Sequence, residues 1–328
     1  MIILAIESSC DETGVAILKG ERDILSKTLV SQMDIFKPFG GVVPEMASRN
    51  HVKVITKLID KALKDAKLTP NDIDVVAVTE GPGLIGSLLV GINAATAFAY
   101  AHQKEVIGVN HLAGHIYSAN LVKPLHFPAL ALLVSGGHTE LVYMKDHMSF
   151  EVIGETLDDA VGEAYDKVAR MLGVGYPGGP RLDKLAHQGI DTYQLPRPYV
   201  DDHGLNFSFS GLKSAVANLH GKLKSKIHIE NMAASFQASV LDVLMHKLKK
   251  AIDLYEVNQI IVVGGVAANK GLRKRIHETF EGYDIVIPPL DYCTDNAVMI
   301  AAAAYHQYRL NPTFENYILG GQASLNLK

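Results

Sequence analysis

The chain alternates short apolar runs with small polar turns, and the runs fall into two matching series. LAIESSCDETGVAI, residues 4–17, reads apolar, polar, apolar, which predicts two strands joined by a hairpin turn. LALLVSGGHTELVY, residues 130–143, has the same form. Displaced by 126 positions the two segments align without a gap, with Leu4 on Leu130, Ala5 on Ala131, Ser9 on Ser135 and Thr13 on Thr139. The order downstream repeats as well. DVVAVTEGPG (74–83) leads into a helix of small residues, and NQIIVVGGVAANKGL (258–272) also leads into a helix. The first half closes on EVIGVNH (105–111) and a helix, the second on DIVIPPLDYCTDN (284–296) and the helix AVMIAAAAYHQY (297–308). This pattern predicts a duplicated α/β fold. Its expected halves are residues 1–125 and 126–328, the second with a helical insertion around 150–235, and they flank a central cleft. Ligands in such sheets bind at the carboxyl ends of the strands.

The totals narrow the class. At 328 residues the chain has room for two domains or one duplicated fold, and 48% apolar residues supply real cores. Charged residues, at 20%, exclude bulk disorder, and a net charge of −4 gives no overall nucleic-acid-binding character. Local basic segments would have to supply it; KLKSKIH (222–228) and KGLRKRIHE (270–278) are candidates for phosphate contact, or else solvated faces. Two cysteines, Cys10 and Cys293, exclude a disulfide framework and fit a reducing cytosol. MIILAIESSCDE has no basic leader and does not read as a signal peptide. GLIGSLLVGINAATAFAYA (83–101) is uncharged and long enough to span a bilayer. Its glycines, its Ser87, Asn93 and Thr96, and its flanks predict a buried helix instead.

VNHLAGHIYSANL (109–121) places His111 and His115 four apart. On a helix both rings share one face, close enough for one metal ion. Alone, such a pair is more often helix surface. A metalloprotease would carry a glutamate straight after the first histidine as general base, and Leu112 stands there. In the duplicated order the histidines lie at the last strand–helix junction of the first half, and Asp295 at the equivalent junction of the second. Asp295 is then expected to reach them across the cleft. Two imidazoles and a carboxylate leave positions open, as a working metal site requires, and suit zinc or iron(II). Asp295 is equally suited to be the N-terminal charge of the last helix; the duplicated position favours metal.

Other segments carry candidate chemistry. SGGHT (135–139) is a glycine turn whose amides can face an anion, or a plain hairpin. ETLDDAVGEAYDKVARMLG (155–173) predicts an amphipathic helix, with Val161, Val168 and Leu172 on one side and Glu155, Asp159, Glu163 and Asp166 on another. YPGGP (176–180) reads as a rigid loop before a helix over 181–188. In GGVAANKGL (264–272), Asn269 reads a base or ribose edge, or caps the next helix. PEMASRNHVKVITKLIDKALKDA (44–66) predicts a helix with Pro44 in its first turn and a stripe of Ile55, Leu58, Ile59 and Leu63. Cys10 has no histidine at a spacing that would mark it as a nucleophile.

ESSCDET (7–13), GPGLIGSLLVG (81–91), NHLAGH (110–115), LLVSGGHTEL (132–141), YPGGP, FSFSGLK (207–213), GGVAANKGL and CTDNA (293–297) stand in that order. In this the sequence closely resembles the TsaD family, once called Gcp, over about residues 2–310, and the opening turn looks like its bacterial and organellar branch. The resemblance implies a duplicated actin-like (ASKHA, ribonuclease-H-like) α/β fold around a nucleotide cleft. It implies transfer of a threonylcarbamoyl group from threonylcarbamoyl-AMP to the exocyclic amine of adenosine 37 in ANN-decoding tRNAs. One divalent metal, iron(II) favoured over zinc, falls on His111, His115 and Asp295. The adenylate is gripped by residues that fall on Leu133, Val134, Ser135, Gly136, Gly137, Asp166, Gly179, Asp183 and Asn269. Asp11 and Glu12, on a turn that faces the cleft in this fold, are expected to act as base for the attacking amine or to orient it. The implied partners are tRNA, a TsaB-like paralogue docking on the helix over 44–66, a TsaE-like ATPase and a Sua5/YrdC-type enzyme that makes the adenylate. In isolation a homodimer is expected, in the cytoplasm and off the membrane. Two rivals remain: an ATP-binding actin-like switch or scaffold without group transfer, and a metalloprotease.

Overall fold

Residues 1–199, 204–312 and 317–327 are described by the structure, a computed structural model. The first series of apolar runs forms β1 (Ile2–Glu7), β2 (Glu12–Lys19), β3 (Asp23–Ser31), β4 (Val75–Gly81) and β5 (Glu105–Asn110). With them alternate α1 (Met33–Phe36), α2 (Pro44–Ala66), α3 (Ile85–Ala101) and α4 (His111–Ser118). The second series forms β6 (Ala129–Val134), β7 (Thr139–Met144), β8 (Glu151–Glu155), β9 (Gln259–Val263) and β10 (Asp284–Val286). Its helices are α5 (Val161–Met171), α6 (Gly178–Ala186), α7 (Ser210–Leu223), α8 (Ile229–Leu254) and α9 (Lys270–Thr279). The chain closes through α10 (Leu290–Cys293) and α11 (Ala297–Leu310).

The two sheets have one topology. The first runs β3-β2-β1-β4-β5 and the second, read from its other edge, β8-β7-β6-β9-β10. In each, a three-stranded antiparallel meander continues into two parallel strands. Hairpin register repeats at the 126-residue offset: Leu4 faces Ile17 and Ala5 faces Ala16, as Leu130 faces Tyr143 and Ala131 faces Val142. A one-residue slip would turn every side chain to the opposite face, so shared register is a strong sign of shared architecture.

The chain divides into two compact units. One comprises Met1–Pro124, His147–Ser149 and the segment from Leu290 onwards; the other comprises Leu125–Asp146 and Phe150–Pro289. In the first, Leu4, Ile6, Val15, Ile17, Val76 and Val78 of the sheet form one core with Ile55, Leu58, Ile59 and Leu63 of α2 and Leu88 and Ile92 of α3. The apolar stripe of α2 is therefore spent on its own unit. Among the described residues, no helix is long and apolar enough to cross a membrane.

Three expectations are corrected. Asp295 and α11 belong to the same unit as the two histidines, so Asp295 does not reach them from the second unit. Small residues make this possible: a Cβ at Gly114 of α4 would meet Ile300 Cδ1 at 2.8 Å, and one at Gly14 of β2 would meet the Ala297 nitrogen at 3.0 Å. The helix expected over 155–173 spans only Val161–Met171; Glu155 ends β8, and Asp159 lies in the connection, paired with Lys167 and Lys213. The helix expected from 181 begins at Gly178, inside the proline–glycine loop.

Candidate metal centre and ligand-binding turns

The metal-type cluster is built by two helix starts. Asn110 ends β5 in extended backbone, and its side-chain oxygen accepts the Leu112 and Ala113 amides at 2.8 and 3.3 Å. That cap makes His111 the first helical residue and sets His115 one turn on, over the same face. Asn296 caps α11 in the same way, accepting from the Met299 amide at 3.1 Å, and Asp295 precedes it. Because α4 and α11 pack at Gly114, the three side chains converge. One ligand atom from each lies within 4.8 Å of the others. Asp295 Oδ1 stands 3.2 Å from His115 Nε2 and 3.5 Å from His111 Nε2, and the rings lie edge to face.

The donor set fits a divalent cation. His115 is 1% exposed, yet among the described residues neither ring nitrogen has a hydrogen-bond partner; the approach of Nε2 to Asp295 is close but poorly directed. A buried imidazole left this way is costly unless something else meets its lone pair. Burial would push His111 down, but the carboxylates of Asp295 and Glu7 outweigh it and hold the ring well above its ordinary value. Burial would raise Asp295, and the two imidazoles instead hold it far below the usual carboxylate range.

Asp11 lies in the β1–β2 turn and Glu12 opens β2. Asp11 is 9% exposed, and Glu12 accepts the Ser31 hydroxyl at 2.9 Å. Burial first, then the charges of Asp295 and Asp11, push Glu12 up to about 9. His51, on the buried stripe of α2, pins this turn: its Nε2 donates to the Cys10 carbonyl at 2.9 Å, and its Nδ1 meets the Thr13 hydroxyl at 2.7 Å. Burial and the Asp11 charge push the Cys10 thiol up, away from a nucleophilic thiolate.

In the second unit, Leu133 and Val134 end β6 with side chains fully buried, so only their backbone is available to a ligand. Ser135–His138 form the turn, closed by Ser135 N–H donating to the His138 carbonyl at 2.8 Å, with Gly136 and Gly137 exposed. Asp166, on α5, accepts the Gly178 amide at 2.7 Å, so that it holds the first turn of α6, where Gly179 has open space around it. Burial raises Asp166 despite the amides of Gly178 and Gly179.

Asp183 and Asn269 come together through a residue that sequence reasoning missed. Gln237 of α8, 6% exposed, donates to Asp183 at 3.0 Å and accepts from Asn269 at 2.9 Å and from Tyr165 at 3.1 Å. Asp183 also accepts the Lys270 and Gly271 amides at the start of α9, rather than facing the loop before α6. Asn269 caps α9 through the Leu272 amide at 2.8 Å. In the basic segment of α9, Arg273 donates to the Ala267 and Pro288 carbonyls and Arg275 pairs with Asp242, so both serve internal contacts. The signal that could have marked Gln237, His51 and Glu7 is a polar residue within an otherwise apolar buried face.

Two units with the same five-stranded sheet order define the fold as a duplicated, actin-like α/β fold. Two solved structures share the fold: HypF of T. kodakarensis (14% identity, TM-score 0.65, covering 94% of this chain and 48% of that one), and component A of the (R)-2-hydroxyglutaryl-CoA dehydratase of Acidaminococcus fermentans (17% identity, TM-score 0.57, covering 94% and 99%). The chain belongs to the TsaD family, whose model, described as tRNA N6-adenosine threonylcarbamoyltransferase, matches residues 23–302. Relatives of that description are 57% identical in Halalkalibacterium halodurans and 56% identical in Staphylococcus carnosus, each match covering 100% of this chain and 96% of the relative. One in Bacillus thuringiensis is 58% identical over 93% of this chain and 92% of its own.

Proposed function

We propose that this chain transfers a threonylcarbamoyl group from threonylcarbamoyl-AMP to N6 of adenosine 37 in ANN-decoding tRNAs. The observation that carries the reading is identity of 56–58%, over nearly the whole chain, to relatives described by that transfer to tRNA adenosine. The adenine amine is a weak nucleophile, because its lone pair is delocalised into the ring. It needs an activated carbonyl, which a mixed anhydride with AMP supplies. The N6–carbon bond forms, the carbon–oxygen bond to phosphate breaks, AMP leaves and N6 loses a proton.

His111, His115 and Asp295 would hold one divalent cation, iron(II) in preference to zinc, which when bound supplies Lewis acidity and a template for donor oxygens. The exposed amides of Gly136 and Gly137 suit a phosphate. Asp166 braces the α6 start at Gly179 against the nucleoside, and Asp183 and Asn269 hold the α9 entry through Gln237. Asp11 and Glu12, side by side at the β1–β2 turn, serve as acceptor for the N6 proton or orient the amine. Support against a protease comes from position 112, where a buried leucine stands in place of a base.

A TsaB-like paralogue docks at the α2 face, a TsaE-like ATPase assists, and a Sua5/YrdC-type enzyme supplies the adenylate; alone, the chain pairs with itself. Support for the docking comes from exposed Leu29, Phe39 and Val52 on β3, the following loop and α2. The test is transfer of labelled threonine from preformed threonylcarbamoyl-AMP to unmodified ANN-decoding tRNA, with these partners supplied, for wild type and His111→Ala. Label with wild type and its loss in the variant is expected. No label from metal-loaded wild type would overturn the reading.

A further inference from the structure

Glu7 ends β1 with no solvent exposure. A buried carboxylate is expensive unless hydrogen bonds and a positive partner meet it. Three donors do. Oε1 accepts the Ser9 amide at 2.6 Å, while Oε2 accepts the Thr79 hydroxyl and lies 3.2 Å from His111 Nδ1. Among the described residues no lysine or arginine pairs with it; the ring that meets it is the His111 imidazole. The fold itself does not ask for an acid here. At the 126-residue offset Glu7 falls on Leu133, the last residue but one of β6, which holds the same hairpin register and is also fully buried. The difference between the two strand ends is the histidine.

Imidazole has two nitrogens and, when neutral, one proton. A carboxylate beside Nδ1 keeps the proton there, so the lone pair stays on Nε2. Nε2 is the nitrogen that faces Asp295 at 3.5 Å. We infer that Glu7 is a positioning residue of the candidate metal centre, locking His111 in the Nδ1–H form and aiming Nε2 at the ion without touching it. The inference rests on the metal reading above. Ser9 Oγ, also 3.2 Å from His111 Nδ1, shares the role, and Thr79 of the neighbouring strand fixes the Glu7 rotamer. Partners of this kind set metal affinity by about 10–100-fold.

The test uses the full-length chain, stripped of metal and titrated with cobalt(II) against a competing chelator, with the visible cobalt spectrum recorded at saturation. Wild type is expected to bind one ion. Glu7→Gln keeps the size but loses the demand for a proton on Nδ1; affinity is expected to fall about 10–100-fold, with a changed spectrum and an unchanged circular dichroism spectrum. Thr79→Val, which leaves Glu7 charged but loosens it, is expected to fall by a smaller factor and serves if Glu7→Gln does not fold. Affinity within twofold of wild type and an unchanged spectrum in both variants would overturn the role of Glu7 while leaving the metal centre standing. If wild type binds no ion more tightly than His111→Ala, the metal reading fails, and the inference with it.

Discussion

Gly162 offers a way to move the glycine turn at 135–139 without touching any group that reacts. It is the second residue of α5, and its amide donates to the Ser135 carbonyl at 3.2 Å. A Cβ there would meet that carbonyl oxygen at 2.5 Å, the Gly136 Cα at 2.9 Å and the Gly136 nitrogen at 3.0 Å, all of them backbone. Ordinary contacts begin near 3.5 Å, so Gly162→Ala forces the turn and the helix apart by about 1 Å. Overpacking of this size costs about 1–3 kcal/mol, and replacing a helical glycine returns up to about 1 kcal/mol. The net loss, roughly 0–2 kcal/mol, leaves a typical domain folded. A donor held by the Gly136 and Gly137 amides would be misplaced by the same 1 Å, which can cost about 100-fold in rate. The expected outcome is a folded variant whose transfer at sub-saturating threonylcarbamoyl-AMP falls about 100-fold. Gly221→Ala on α7, where nothing lies within 4 Å of the new carbon, is the control and should transfer normally. Wild-type transfer by Gly162→Ala would refute the placement of the donor on this turn.

Glu140 yields a pH signature in the same unit. It sits opposite Glu155 with Oε2 buried and, among the described residues, unpartnered, and burial followed by the Glu155 charge pushes it up to about 7. The folded state then holds a proton that the unfolded state releases near 4.5, so stability falls as pH rises from about 4.5 to 7, by about 3 kcal/mol in all. Glu140→Gln should raise the urea midpoint at pH 8, with the gain shrinking towards pH 4.5, read by tyrosine emission since the chain has no tryptophan; a pH-independent difference would sink the account. Asn110→Ala removes the α4 cap and the side-chain bonds to the Leu325 and Asn326 carbonyls, and should cost about 1–2 kcal/mol and raise hydrogen exchange at residues 112–115. Gln237→Leu strands Asp183, Asn269 and Tyr165 without their shared partner, and should destabilise the second unit by about 2–4 kcal/mol and weaken thermal stabilisation by AMP; a wild-type shift with AMP would separate this network from the ligand.

The duplication was readable because it is written in periodic burial: the 126-residue offset that aligns Leu4 with Leu130 also reproduces their strand partners. The histidine pair was readable because a helix fixes residues four apart on one face. Element order could not reveal that α11 returns to the first unit. The duplicated order pairs it with the helix after β5, and only the contacts of Gly14 and Gly114 with Ala297, Met299 and Ile300 decide the matter. The start of α5 was misplaced for a different reason. Acidic residues at 155, 159, 163 and 166 imitate helical spacing, but Glu155 is committed to the β7 ladder and Asp159 to two lysines. Spacing of polar residues carries less information than spacing of apolar ones, because water accepts a charge at almost any position while a core does not.

The two sheets also show what a shared topology leaves open. In the first, the carboxyl ends of the adjacent strands β1, β4 and β5 present Glu7, Thr79 and, one residue on, His111. In the second, the same ends of β6 and β9 lead into the turn at 135–139 and the glycine pair at 264–265, where Gly264, at φ +93°, passes so close to the Val134 carbonyl that a Cβ would lie 2.4 Å from it. One strand end therefore carries a buried carboxylate that needs a histidine, and its counterpart carries a leucine that needs nothing. Packing alone accepts either residue. An acid stands at a position where leucine would satisfy the core at lower cost, and the chemistry of its imidazole partner accounts for that cost.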